Sequence, residues 1–245
     1  MLTERQQRIL GLVAEEYLQS GKPVGSKALA ERPDVTWGAS TIRNELAAIL
    51  DEVRCRGGLA LVDEIYLGLS YEGQPRSALA LDDGVVVINS FSKYFHMTGW
   101  RLGWMIVPDA MVEPIERIAA SLAICAPTLA QHAALACFEP QTLTIYDERR
   151  EAFRQRRDYL VPELERLGFA VPARPDGAFY IYADTRALAA DSQDLSRRML
   201  HEAGVAAVPG LDFGPAHAAH TMRFSYATGM HRLKEAVQRL EMLLG

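Results

Sequence analysis

Lys93 is the residue around which chemistry can be built. It stands in the stretch Ser-Phe-Ser-Lys-Tyr-Phe-His-Met-Thr-Gly-Trp-Arg-Leu-Gly-Trp, from Ser90 to Trp104. Two hydroxyls, Ser90 and Ser92, come just before it, and a guanidinium, Arg101, comes eight residues after. A lysine amine can form a Schiff base with an aldehyde, and hydroxyls with an arginine suit a phosphate. Thirty residues upstream, Asp63-Glu64-Ile65-Tyr66 offers a carboxylate and a phenol. Far downstream, Arg223 in Arg-Phe-Ser-Tyr offers a further guanidinium. Taken singly, these groups read as a surface lysine, a charged strand end and a strand-edge arginine. Their order along one chain is what gives them weight.

The surrounding pattern predicts the elements that position them. Val85-Val86-Val87-Ile88 is a β-branched run and reads as a buried strand. Lys93 then falls just past a strand end, where sites in open α/β sheets lie. Leu59–Val62 predicts a strand that delivers Asp63, and Leu102–Val107 a further one. From Tyr146 to Leu167, Phe153, Leu160, Leu164 and Leu167 recur at helical spacing. Asp176–Tyr182 predicts a strand after a turn, and Thr221–Ala227 a strand carrying Arg223. Leu233, Ala236, Val237, Leu240 and Leu243 mark a final amphipathic helix.

The Ser90–Trp104 segment closely resembles the cofactor-lysine motif of class I/II aminotransferases, the fold-type I pyridoxal-phosphate enzymes. The resemblance implies a role for each residue already singled out. Lys93 would hold pyridoxal 5'-phosphate as a Schiff base and shuttle the substrate α-proton. Asp63 would pair with the protonated pyridine nitrogen and Tyr66 would face the 3′ oxygen. Ser90, Ser92 and Arg101 would take the phosphate, and Arg223 the substrate α-carboxylate. The implied reaction moves an amino group from an amino acid to a 2-oxo acid. Only the second half of that family is matched. The strands carrying Asp63, Lys93 and Trp104 correspond to three of its seven, the last running antiparallel beside the lysine-bearing one. The family's glycine-containing phosphate loop, ring-stacking aromatic, 3′-oxygen asparagine and neighbour-subunit tyrosine have no counterpart. Turnover is therefore expected to be impaired, and uncovered strand edges should promote homo-oligomers or looser self-association.

The first fifty residues carry a different pattern. Thr3-Glu4-Arg5-Gln6 is a capping box, and Ile9, Leu12, Val13 and Tyr17 share a helix face. Ser26 can cap a second helix and Ser40 a third, describing a helix-turn-helix. Ser40, Thr41, Arg43 and Asn44 on the third helix could reach phosphates and base edges. Leu2–Leu10, Glu16-Tyr17, Pro23–Lys27 and Ala39–Glu45 together resemble the DNA-binding head of the heat-inducible transcription repressor (HrcA) family. That family continues into a basic wing, which does not follow here. Residues 1–58 hold eight basic and eight acidic side chains, so the DNA binding implied is weak. Ala47–Arg54 shows no linker, so one helix should run straight from head to remainder.

Bulk properties narrow the rest. The chain has 245 residues, 49% of them hydrophobic and 23% charged, which suits a globular protein with a real core. A net charge of −5 does not favour nucleic acid or an anionic membrane. Cys55, Cys125 and Cys137 form an odd set without CxxC spacing, which fits a reducing, cytoplasmic setting. No signal peptide or membrane span is read, and His217 and His220 lack partners at metal-ligand spacing. The expected fold class is α/β. It comprises a helix-turn-helix over 1–50, a partial fold-type I sheet over 51–145 and a small α+β domain over 146–245.

Overall fold

The computed structural model describes residues 8, 9, 12 and 46–245, apart from 73, 74 and 216. Arg8, Ile9 and Leu12 are helical, and Ile9 and Leu12 are buried, two of the positions expected to share a helix face. Residues 46–50 are also helical; the rest of the helix-turn-helix expected over 1–50, with Ser40, Thr41, Arg43 and Asn44, lies outside the described residues. The chain forms two compact units, and the division between Glu151 and Ala152 falls inside a helix.

The first unit, over 46–151, is built on a three-stranded sheet. Helix α1 (Leu46–Cys55) ends at a turn in which Gly57 adopts φ 69°, a left-handed conformation that glycine takes at no steric cost. Strands β1 (Leu61–Asp63), β2 (Val86–Ser90) and β3 (Gly103–Ile106) follow, in the order β1-β2-β3. β1 runs parallel to β2, and β3 antiparallel to it, as expected. Strand β1 starts two residues later than predicted and takes in Asp63, because its ladder extends to the pair Asp63 and Ile88. Leu50, Ala78, Val85 and Val87 form the core on one face. Helices α2 (Asp109–Ala123), α3 (Thr128–Leu135) and α4 (Pro140–Arg166) come next. Proline at the first position of α4 costs nothing, since the amide it lacks would have had no partner there.

The second unit runs over Ala152–Gly245 and includes residues 8, 9 and 12. Its sheet has the order β4-β6-β5, all antiparallel: β4 (Tyr180–Asp184), β5 (Val208–Pro209) and β6 (Thr221–Ser225). The strand predicted from Asp176 begins only at Tyr180, because Ala178 takes a left-handed conformation, φ 59°, that ends any extension before it. Helix α5 (Ser192–Ala203) shows why its residues stop and start where they do. The Asp191 carboxylate accepts from the Gln193 amide at the start, and Gly204 closes the end at φ 64°. Helix α6 (Met230–Leu244) buries Leu233, Val237 and Leu240, the stripe foreseen from the sequence. Ile181, Ala183, Met222 and Phe224 alternate onto the buried face of the sheet, beside Leu164, Leu195 and Met199 in the core.

Among the described residues no helix is long and apolar enough to cross a membrane. Among them, too, no three His, Cys, Asp or Glu side chains gather to hold a metal ion.

Candidate active site

The lysine-bearing turn is held from below by aromatic packing and from the sides by backbone bonds. Phe91, Met97, Ala134, Cys137 and Tyr146 form a buried cluster, against which Tyr94, Phe95 and Trp104 pack. The Phe91 ring meets Phe95 at 5.0 Å and Trp104 edge-on at 4.9 Å, arrangements that add about 0.5–1.5 kcal/mol per pair beyond simple burial. Apolar residues at 91, 94, 95 and 97 thus pin the segment, while the hydroxyls and the lysine alternate between them. The Phe91 amide donates to the Leu102 carbonyl at 3.1 Å, and the Met97 amide returns to the Phe91 carbonyl at 2.9 Å. The Thr98 hydroxyl donates to the Ser92 carbonyl at 2.5 Å. His96 closes the turn at φ 56°, its amide donating to the Lys93 carbonyl at 3.1 Å.

Ser90 and Ser92 are brought together: their hydroxyl oxygens lie 2.9 Å apart, and the Ser92 amide donates to Ser90 Oγ at 3.0 Å. Lys93 Nζ lies 5.6 Å from the centre of the Tyr66 ring, so two residues 27 positions apart share one locale. Asp63 ends β1 directly beside Ile88, two residues before Ser90, and its carboxylate accepts from the Ile65 amide at 3.1 Å. That bond turns the chain toward Tyr66. Arg101 sits in a left-handed conformation, φ 54°, and its guanidinium donates to the Thr98 carbonyl at 2.9 Å. Gly103 starts β3 because a Cβ there would stand 2.9 Å from the Asn89 carbonyl oxygen.

Arg223 belongs to the second unit. On β6 it lies opposite Tyr182 on one side and Val208 on the other. The central carbon of its guanidinium is 4.3 Å from the Tyr180 ring centre and 4.7 Å from that of Phe213. Its Nε is buried without a hydrogen-bond partner among the described residues.

Several side chains beside these had no clear sequence signal. Glu64, inside the Asp-Glu-Ile-Tyr run, is buried and accepts the Ala78 amide at 2.6 Å, so its carboxylate serves the fold. Tyr180 could have been found from strand alternation, since it shares a face with Tyr182. Phe213 lies in a loop and could not. Burial pushes the Tyr146 phenol up to about 12, with its bond to Cys137 adding to the effect. Burial likewise lowers His96, and the Arg149 charge lowers it further.

Comparison with known proteins places this arrangement. Residues 33–240 match the family described as aminotransferase class I and II. The span begins inside the segment expected as the head. The chain is 37% identical over 198 residues to a valine–pyruvate aminotransferase of Mycobacterium tuberculosis, covering 80% of this chain and 51% of that protein. It is 34% identical over 238 residues to aromatic-amino-acid aminotransferase 2 of Thermococcus litoralis, covering 95% and 61%. Among solved structures, an aminotransferase from Mycobacterium tuberculosis superposes with a TM-score of 0.78 at 32% identity, over 90% of this chain and 60% of that one. Thermus thermophilus aspartate aminotransferase with maleate does so with a TM-score of 0.74 at 35% identity, over 83% and 52%. The chain thus spans about half to three-fifths of the length of these relatives. Within that span, the match covers the turn that presents Lys93, the strand that ends at Asp63 and the strand that carries Arg223, and on this ground the chain belongs to the class I and II aminotransferases.

Proposed function

We propose that this chain carries the lysine-bearing part of a pyridoxal-phosphate-dependent aminotransferase, which moves an amino group from an amino acid to a 2-oxo acid. The approach of Lys93 to Tyr66, beside paired Ser90 and Ser92 hydroxyls, is the observation that supports it best. The donor set fits the cofactor. Two hydroxyls and a guanidinium match a phosphate, a strand-end carboxylate matches a protonated ring nitrogen, and an amine matches an aldehyde. When bound, pyridoxal phosphate supplies an electron sink for the bond broken at the substrate α-carbon.

The chain's own residues do the rest. The Lys93 amine would hold the cofactor's aldehyde carbon and, once released from it as a free amine, would be the group that carries the substrate α-proton. Asp63 would pair with the protonated pyridine nitrogen. Tyr66 would face the ring's oxygen. Ser90, Ser92 and Arg101 would hold the phosphate, and Arg223 would orient the substrate carboxylate. Proton transfer depends on placement, and a misplacement of about 1 Å can cost on the order of a hundredfold. Since the matched span is partial, we expect negligible turnover from this chain by itself, and weak cofactor affinity.

The test is borohydride reduction in the presence of pyridoxal phosphate, followed by peptide mapping. Label should concentrate on Lys93 and vanish from that peptide in Lys93→Ala. Label spread evenly over all lysines would remove the assignment. The other reading, a DNA-binding regulator with contacts at Ser40, Thr41, Arg43 and Asn44, makes a different demand. Tight binding needs phosphate neutralisation, and the balanced charge of residues 1–58 does not supply it. A mobility-shift assay at physiological salt should show no tight complex; one that forms and is lost in Arg43→Ala would favour the regulator.

A further inference from the structure

We infer that Tyr180 and Phe213 are positioning residues for Arg223: two rings that hold its guanidinium in one orientation for a planar carboxylate. The inference rests on the substrate-carboxylate role proposed above for Arg223. A guanidinium is weakly hydrated, and its flat faces are attracted to aromatic rings. Here one guanidinium carbon lies within 4.7 Å of two ring centres, contributed by different elements of the second unit. With rings over its faces, the guanidinium would meet a partner through its in-plane N–H groups. That edge is the one that makes paired, in-plane hydrogen bonds with a carboxylate. Arg223 is in an ion pair with no carboxylate among the described residues, and its Nε is buried without a partner. Among the described residues the cation therefore meets π-faces and no counter-charge, which leaves its charge for an anionic ligand.

The sequence around Phe213 is shaped to bring its ring there. Gly210 opens the short turn Gly210–Phe213 with no room for a Cβ, pressed against the Thr221 hydroxyl and the Ala218 carbonyl. Gly214 leaves the turn at φ 123°, a conformation open to glycine alone at low cost. Tyr182 then braces Phe213 edge-on, with ring centres 5.6 Å apart and planes at 82°. The Tyr182 hydroxyl is itself tied to Thr221 Oγ1 at 2.9 Å. Tyr180 and Tyr182 come from alternate positions of β4 and share the face on which Arg223 lies. Phe213 keeps 40% of its surface exposed, so its ring is not there to fill the core.

The experiment uses the full chain labelled with ¹⁵N-arginine and isovalerate as the probe, an amino-acid carboxylate without the amino group. The Nε–Hε resonance of Arg223 is identified by its loss in Arg223→Lys. Isovalerate should shift it saturably in the parent protein. Phe213→Leu, which keeps apolar bulk but removes the ring, should displace the resonance before any ligand is added and weaken isovalerate binding about fivefold. Tyr180→Leu should act in the same direction, and Phe213→Tyr should restore both readouts. Melting curves check that each variant is folded. A Phe213→Leu protein with unchanged resonance and affinity, while Arg223→Lys no longer binds, overturns the positioning role and leaves the carboxylate role of Arg223 standing. Undiminished isovalerate binding in Arg223→Lys, followed by titration calorimetry because that variant lacks the resonance, overturns both.

Discussion

The two three-stranded sheets of this chain differ in how completely their surroundings cover them. In the second unit, one face of β4 and β6 is sealed: Ile181, Ala183 and Met222 are essentially inaccessible, as are Leu164, Leu195, Met199 and Tyr226. In the first unit, β1 and β3 present Leu61, Met105 and Ile106 to solvent. Helix α2 has no buried residue at all, although its apolar positions are grouped along one side. Leu122 and the neighbouring Ile124 are 83% and 85% exposed. Among the described residues β1 and β3 each pair with β2 alone. One sheet therefore meets its own needs, and the other has the apolar surface and open edges of an element that takes neighbours on both sides. The lysine turn escapes this contrast because its aromatic cluster is local, drawn from residues 91–104 and 134–146.

The largest effect should come from the uncovered surface. Contiguous exposed apolar groups and unpaired strand edges favour association. The parent chain should scatter light as oligomers or larger species. Replacing Leu122 and Ile124 together by glutamate should lower its apparent mass severalfold without altering its circular dichroism. A parent chain that runs as a monodisperse monomer would break the comparison.

A smaller effect separates the units by the kind of ion pair each holds. In the second, Arg157 is only 2% exposed; its guanidinium donates to the Pro175 carbonyl at 2.7 Å and to the Asp158 carboxylate at 2.8 Å. Arg174 donates to the same carboxylate at 2.6 Å. Burial raises the Asp158 carboxyl, but the Arg157 and Arg174 bonds outweigh it and the group ends below its usual range. Asp158→Asn removes one carboxylate partner from a buried guanidinium. Because Asp158 is itself partly exposed, the loss should be about 1–3 kcal/mol in urea unfolding of that unit, less than for a fully buried pair. In the first unit, Asp51 and Arg54 form an exposed pair at 2.5 Å. Asp51→Asn should cost under about 0.5 kcal/mol. Equal losses in the two variants would show that burial of Arg157 carries no energetic weight.

What could be read from the sequence follows the same divide between local and distant causes. The Ser90–Trp104 run, the β-branched strand before it and the apolar stripe of α6 are short-range patterns, and each appears where expected. The edges of β1 and β4 moved for different reasons: the ladder to the distant Ile88 extended one, and the left-handed backbone of the adjacent Ala178 shortened the other. Glu64, which stands between the expected site residues Asp63 and Tyr66, binds the Ala78 amide fourteen residues away, and no local pattern signals that bond. The two rings on Arg223 come from a strand and a loop about thirty residues apart, a meeting that no periodicity announces. The arginine itself is singled out in the sequence because its tetrapeptide resembles a family pattern, and its role is the one proposed above.

The smallest effect sharpens the comparison from within the lysine turn. His96 stacks on Tyr146 with ring centres 5.9 Å apart, and burial with the nearby Arg149 charge lowers its pKa. A histidine held below its unfolded value of about 6.5 favours the folded state in its neutral form. Its contribution is complete above that value and is lost as pH falls through the folded pKa, where folding excludes a proton that the unfolded chain accepts. The first unit should therefore lose stability between pH 7.5 and pH 5 by more than its carboxylates alone would cause. His96→Asn is the apt variant, since Asn tolerates the left-handed backbone at this position. The measurement is the urea midpoint of each unit across that pH range, followed for the first by the fluorescence of Trp100 and Trp104, with Trp37, the chain's third tryptophan, replaced by phenylalanine in every sample. The variant should flatten the acid side of the first unit's curve and leave the second unit's unchanged. A parent curve that rises toward acid pH, or a variant whose slope matches the parent's, would mean that the turn does not exclude the proton and that its packing is looser than the stacked rings imply.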